Sequence, residues 1–379
     1  MSQVENATPP PSVVPDAPRV RIGVVGTSHF VGRVHLPLLR SHPQAELVAI
    51  CGRTFARTDS LAIAHQIPQQ FARYSDMLGQ ARLDAIVIAT PDDLHPPMTL
   101  AALDANLHVL CEKPLALNSA DAAGMLARAR AASVKHMAFF RWRWLAAYQR
   151  LQRLLAEGWV GRPLQWTFSY LSSGGWKPDY AWRFDERRAN GALGDLGSHM
   201  IDMALWLGGP VASVSASLNT FHVRHRPDGS RMSANDSAML LMRFTDGSHG
   251  TIHARTVAQL GSESQMQVEA VYGHEGWLAA EFQRSRDPQL RGARRGEEIR
   301  LIDSGDPAAE GVGSYEERLL ASWKRRSVAD GLFVDAIVND RRVEPSFEDG
   351  VAVQRVMDAA LESHQTGSSV GVCTDDPRG

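Results

Sequence analysis

Cysteine is scarce in this chain: Cys51, Cys111 and Cys373 are the only three among 379 residues. They show no C-x-x-C spacing and are too few for a disulfide framework, which excludes the stapled secreted scaffolds and points to a reducing, cytoplasmic setting. Cys51 and Cys111 each close an apolar run, where a thiol behaves as a small buried hydrophobe. An excess of charge is missing too. With 40 basic and 42 acidic residues the formal net charge is −2, so no basic footprint recommends nucleic acid as a partner. The small clusters at Arg294/Arg295 and Lys324–Arg326 read as solvated surface. No apolar stretch reaches the length of a bilayer span. The first residues, MSQVENATPPPSVVPDAP, are polar and proline-rich, with neither the basic start nor the apolar core of a signal peptide, and 1–18 are expected to form a flexible tail. P-loop, G-x-S-x-G and H-E-x-x-H motifs are lacking, and no second His or Cys stands at ligand spacing on the helix that carries His199 and Asp202, so no metal site is expected.

What is present is an ordinary folded composition, 44% hydrophobic and 22% charged, on a chain long enough for two domains. From 19 to 141, apolar runs at Val20–Val25, Glu46–Cys51, Ala85–Ala89, Leu107–Cys111 and His136–Phe140 alternate with amphipathic stretches such as Phe55–Gln66 and Pro96–Asn106. That alternation predicts an α/β domain with a parallel sheet covered by helices on both faces. Asn118, three residues before Asp121, is a helix-start signal for the Ala-rich stretch that follows.

From 142 to 379 the rhythm changes. A helix over Ala146–Ala156 precedes a strand over Leu164–Leu171, and a Gly-, Trp- and Arg-rich loop runs on to Ala192. A helix from Asp195 to Leu207 stops at Gly208-Gly209-Pro210. Strands follow at Val211–Phe221, Ser237–Phe244, His249–Ala254, Ser264–Val271 and Trp277–Glu281, with a hairpin turn at Thr245-Asp246-Gly247. Late helices are predicted over Glu316–Val338 and Phe347–Ser363. Consecutive strands joined by tight turns imply an α+β domain on a mainly antiparallel sheet.

The first strand runs into Gly26-Thr27-Ser28-His29-Phe30-Val31-Gly32. Glycines after a first strand let the backbone turn tightly and approach a pyrophosphate at a helix N-terminus. The G-x-G-x-x-G fingerprint is degraded here: Ser28 replaces the second Gly, and Gly32 comes one place late. Gly26, Thr27, Ser28, His29, Phe30 and Val31 are the candidate phosphate contacts. The second strand ends Ile50-Cys51-Gly52-Arg53-Thr54, without the acid that would accept from a ribose 2′-hydroxyl. Arg53, with Thr54 beside it, suits a 2′-phosphate, so NADP is preferred and NAD remains possible.

Three further segments carry a resemblance: Ala89-Thr90-Pro91-Asp92-Asp93-Leu94-His95, Cys111-Glu112-Lys113-Pro114-Leu115, and Gly191-Ala192-Leu193-Gly194-Asp195-Leu196-Gly197-Ser198-His199-Met200-Ile201-Asp202. In this order they resemble the Gfo/Idh/MocA family of oxidoreductases, from Arg19 to about Val372. The resemblance implies an N-terminal Rossmann domain, a C-terminal domain on a large, open, mostly antiparallel sheet, NAD(P), and a sugar, inositol or related polyol-like substrate. It implies homodimers or homotetramers built through the open sheet. Ala89, Thr90, Pro91, His95, Glu112 and Lys113 are then cofactor contacts, and Lys113, Asp195 and His199 the catalytic group. At family level, the Glu112–Lys113 or Lys113–Pro114 bond is expected to be cis. The chain departs from the family pattern at Asp92, commonly Asn, and at Ala189-Asn190, commonly richer in glycine.

The chemistry fits those assignments. Oxidising a secondary alcohol needs a hydride acceptor and a base for the hydroxyl proton. Imidazole titrates near neutrality, and Asp195 and His199, at i and i+4, project from one helix face. The carboxylate can fix the imidazole tautomer, or both groups can contact substrate; Asp195 also reads as an N-cap. Lys113 leaves its strand on the crevice side, where an ammonium can polarise the substrate oxygen. Trp176, Tyr180 and Arg183 in the long loop, with Tyr170 and Arg143, combine apolar faces and donors as a polyhydroxylated ligand requires. Two other functions stay open: an enzyme that retains and redox-cycles its NAD(P), as glycosidases or glucose–fructose oxidoreductases of the family do, and a non-catalytic dinucleotide-binding regulator.

Overall fold

The computed structural model describes residues 19–177, 180–305 and 314–372; the expected tail at 1–18 and Cys373 lie outside the described residues. The Val-, Ile- and Leu-rich runs form β1 (Val20–Val25), β2 (Ala45–Cys51), β3 (Gln69–Phe71), β4 (Ala85–Ile88), β5 (His108–Cys111) and β6 (His136–Ala138). All pair in parallel, in the order β3-β2-β1-β4-β5-β6. Every residue of β4 is buried, because helices cover both faces of the sheet. The crossovers carry α1 (Leu36–Ser41), α2 (Phe55–His65), α3 (Tyr74–Gln80), α4 (His95–Asp104) and α5 (Ser119–Ala132). Asn118 caps α5 as expected, accepting from the Asp121 amide at 2.9 Å. Strand order reverses between β1 and β4, which opens a crevice at the strands' carboxyl ends. The sequence predicts five strands here and six are present. The missed β3 is a three-residue polar edge strand, with no apolar run to mark it.

The second half opens with α6 (Ala146–Ala156), β7 (Pro163–Ser172), α7 (Ser198–Gly208) and β8 (Val211–Asn219). The short strands β9 (Arg224–His225) and β10 (Arg231–Met232) form a separate hairpin. Then come β11 (Ser237–Phe244), β12 (His249–Arg255), β13 (Gln265–Gly273), β14 (Gly276–Gln283), β15 (Arg286–Arg294) and β16 (Arg300–Ile302). With β17 (Val370–Gly371) they make a nine-stranded sheet, ordered β16-β15-β14-β13-β7-β12-β11-β8-β17. Only β7 and β12 pair in parallel. Sequence reading missed β15 and β16: arginines and a proline obscure the alternation, and the wide edge buries little beyond Leu290 and Gly292. In β11, Ala238, Leu240, Met242 and Phe244 are buried, whereas Met239 and Leu241 are 55% and 50% exposed. The sheet therefore packs one face on α6, α7 and a late helix and leaves the other open.

The single helix expected over Glu316–Val338 is two, α8 (Tyr315–Arg326) and α9 (Asp330–Val338). Ser327 and Ala329 break it at φ 47° and 58°, without the glycine or proline that would have marked the break. Helices α8 and α9 return to the first domain, packing on α1, and α9 also meets β1 and β5. Helix α10 (Phe347–Thr366) lies between α5 and β8. Among the described residues no helix is long and apolar enough to cross a membrane.

Candidate active site

A cleft of about 900 Å³ runs along the carboxyl ends of β1, β2, β4 and β5 and is closed by β7 and the turn before α7. At its phosphate end Gly26 has φ +113°, and a Cβ there would lie 2.2 Å from the Ala89 carbonyl oxygen. A Cβ on Gly52 would lie 2.4 Å from Thr27 Cγ2. These two glycines let the loop lie down on its neighbours. Ser28 Oγ accepts from the Val31 amide at 3.2 Å, at the start of the helical run into α1. Thr27, Ser28 and Phe30 line the cleft above Ala89, Thr90 and Pro91. At the far end stand Arg53 and Thr54, joined by Arg57 and Tyr74, and no carboxylate is among the described residues lining that end. Sequence reading missed both newcomers, although Arg57 sits one turn beyond Arg53. This cradle fits a dinucleotide pyrophosphate, and its cationic end fits a further anionic group.

Three expected cofactor contacts do not line the cleft. His29 is exposed outside it, and Val31 is buried. His95 is fully buried and stitches two loops, its Nδ1 lying 2.8 Å from the Pro114 carbonyl and its Nε2 3.0 Å from that of Thr90. It shapes the floor without facing the ligand space. The Lys113–Pro114 bond is cis.

At the reaction end, Lys113 Nζ donates to the Asp195 carbonyl at 2.7 Å and to its Oδ1 at 3.1 Å. Arg183 Nε donates to the same Oδ1 at 3.3 Å. Burial opposes the charge on Asp195, but Lys113 and Arg183 hold its carboxyl down at about 2. Asp195 is not an N-cap. The backbone is already helical at Ala192, and Asp195 lies inside a wide π-wound turn, Leu193–Gly197, that leads into α7. Nor does it bond His199, whose Nδ1 has no hydrogen-bond partner among the described residues. The His199 ring is boxed by Phe140, Trp142 and Tyr170, at centroid distances of 6.3, 5.9 and 6.2 Å. Burial, then the charges of Lys113 and Arg141, depress its basicity well below the usual range, so the imidazole is neutral.

Tyr170, Tyr180 and Arg183 line the cleft with Arg141. Two other expected substrate contacts do not. Trp176 packs edge-on against His222, 5.3 Å away, outside the cleft. Arg143 is buried in a fork with Asp202, Nε to Oδ2 at 3.0 Å and Nη2 to Oδ1 at 2.6 Å, and also reaches Asp349 at 3.1 Å. Its neighbour Arg141 takes the place in the cleft, because a tight 3₁₀ turn over Arg141–Trp144 sends the two side chains to opposite sides. The substrate loop is tied down by a hairpin the sequence did not single out: Arg226 bonds Asp185 at 2.8 Å, and Arg224 lies 3.7 Å from the Phe184 ring centroid.

Known proteins give this geometry a context. Residues 20–140 match an oxidoreductase family with an NAD-binding Rossmann fold, and residues 148–279 match the GFO/IDH/MocA C-terminal domain. The levoglucosan dehydrogenase of Pseudarthrobacter phenanthrenivorans is 29% identical over 317 residues, covering 76% of this chain and 80% of that one. A D-xylose 1-dehydrogenase (NADP(+)) of Haloferax volcanii is 26% identical, covering 92% and 98%. Among solved structures, levoglucosan dehydrogenase in complex with NADH and L-sorbose superposes with a TM-score of 0.84 at 25% identity, over 95% of this chain and all of that one. With both halves matched and a Lys113/Asp195/His199 cluster facing a dinucleotide cradle, the chain belongs to the Gfo/Idh/MocA family of oxidoreductases.

Proposed function

We propose that this protein is a sugar dehydrogenase that prefers NADP, with Lys113, Asp195 and His199 as its catalytic group. The observation that carries the reading is a buried ammonium and a neutral imidazole, both lining one cleft beyond the phosphate cradle. Bound nicotinamide supplies the hydride acceptor or donor. Lys113 polarises the substrate oxygen and stabilises the alkoxide, and Asp195, committed to Lys113 and Arg183, anchors that charge. His199, neutral and lining the cleft, takes the hydroxyl proton. Tyr170, Tyr180 and Arg183 offer the faces and donors that a sugar ring needs. The relatives' substrates, levoglucosan and D-xylose, support a sugar as the substrate class here.

Arg53 and Arg57, with no acid among the described residues lining that end of the cleft, support NADP over NAD. Fluorescence titration is expected to show NADPH binding more tightly than NADH. Arg53→Asp is expected to weaken NADPH by about tenfold or more while changing NADH less. Equal losses would refute the role of Arg53. Reduction of NADP+ by a panel of aldoses, anhydrosugars and polyols tests the activity, and no reduction by any of them with the coenzyme bound would refute the enzymatic reading.

Two buried free thiols support a reducing, cytoplasmic location. The open sheet face, with Met239, Leu241 and Tyr272 exposed, supports a homodimer or homotetramer built there. Light scattering is expected to give two or four chains; a monomer would overturn this.

A further inference from the structure

A second ionic group lies beneath the cofactor cradle. Glu112, the residue after β5, lines the cleft and is tied from behind. Its Oε1 lies 3.2 Å from Nε2 of His35, and its Oε2 accepts from the Lys113 amide at 3.1 Å. His35 is fully buried, with ring centroids of Phe30 and Phe139 at 5.3 and 4.5 Å. Its other nitrogen, Nδ1, lies 2.8 Å from Asp330 Oδ1. Asp330 is itself fully buried, in the first turn of α9, and its Oδ2 has no hydrogen-bond partner among the described residues. With a carboxylate on each ring nitrogen, both nitrogens donate. Burial opposes the imidazolium, but Asp330 and Glu112 prevail and push its pKa up to about 10. The other titratable groups that act on this set are Lys113, Arg183, His95 and Cys111.

Burying three charges is a poor route to stability, since an apolar trio of equal volume would hold these elements as well. What the chain does accomplish is orientation: each Glu112 oxygen has a fixed partner, His35 or the Lys113 amide, while the residue still lines the cleft. The sheet order β2-β1-β4-β5 lays Arg53, the Gly26 loop and Lys113 in succession along the cleft, so a dinucleotide with its 2′-phosphate at Arg53 brings its nicotinamide end to Glu112. We propose that Asp330 and His35 are positioning residues which hold the Glu112 carboxylate as a fixed acceptor for donors on the nicotinamide half of the coenzyme. The late helix α9 thereby completes the cofactor site from the far end of the chain. This inference rests on the cleft being the dinucleotide site.

The test compares two probes on the full chain between about pH 6 and about pH 9. One probe is whichever of NADPH or NADH the wild type binds; the other is the matching ADP or its 2′-phosphate, which lacks the nicotinamide and its ribose. Wild-type affinity for the coenzyme is expected to be flat with pH, because His35 keeps its proton throughout. In Asp330→Asn the imidazolium loses its nearest countercharge, so His35 deprotonates within this range and Glu112 loses its charged donor. Coenzyme affinity should then fall about five- to tenfold as pH rises, while the nicotinamide-free probe binds as in wild type. Glu112→Gln, a change at the cleft wall that spares the buried pair, should weaken the coenzyme alone by about tenfold at every pH. A flat profile in Asp330→Asn, equal loss of both probes, or an unchanged Glu112→Gln would overturn the proposal. If the wild type binds neither probe, the dinucleotide reading itself has failed, and this inference fails with it.

Discussion

Replacing Lys113 by methionine is expected to lower kcat for sugar oxidation by about 10²- to 10³-fold, with coenzyme affinity changed by less than about threefold. Methionine keeps most of the side-chain length and removes the only ammonium among the described residues that line the cleft. Lys113 is 12% exposed, so its charge acts through little water and is worth more on a developing alkoxide than a solvated lysine would be. Asp195 would retain Arg183 alone, and its carboxyl would rise from about 2 towards the ordinary range. His199 would become more basic, since Lys113 is one of two cations that depress it. The residual activity should therefore shift its lower pH limb upward. His199→Ala is expected to cost about 10²- to 10⁴-fold by removing the proposed proton acceptor. Steady-state reduction of NADP+ reads both variants. Undiminished turnover in either would remove that residue from the catalytic group.

The largest effect on stability is expected at a residue that does not touch the cleft. Arg143→Met should destabilise the fold by about 3–5 kcal/mol, read as a lower urea midpoint with an unchanged slope. Arg143 is fixed by a two-pronged bond to Asp202 and a third contact to Asp349, with side-chain exposures of 8%, 1% and 20% for the three residues. The paired carboxylates hold the guanidinium charged against the cost of burial. Removing it strands two carboxylates, one of which also caps α10 through Ser346. The change would loosen three elements at once: the turn after β6, α7 and α10. Arg143→Lys keeps the charge but not the planar fork, and should recover only part of the loss. A loss below about 1 kcal/mol would show that the triad is marginal. A rise in the Michaelis constant for sugar with stability intact would instead return Arg143 to the substrate site.

These two residues show how unevenly the sequence can be read. Lys113 was legible because its position depends on a short apolar strand and on the topology that strand enforces. Arg143 was misplaced because nothing in the run Arg141-Trp142-Arg143-Trp144 tells which arginine faces the cleft. Only the turn after β6 separates them. Asp195 and His199 both line the cleft, but of the two arrangements their spacing allows, the direct contact is absent, and Asp195 is bonded instead to Lys113, 82 positions away. A wide helical turn is not visible in a residue pattern that fits an α-helix equally well.

By itself the sequence determined the parallel sheet, the glycine loop at its first strand and the mainly antiparallel second sheet. Those features follow from periodicity, propensity and turn chemistry, all of which act within about ten residues. Only the tertiary structure decided the pairing of charges: Arg143 with Asp202 across 59 positions, and His35 with Asp330 across 295. The strength of such pairs comes from burial and approach distance, neither of which leaves a local trace in the chain.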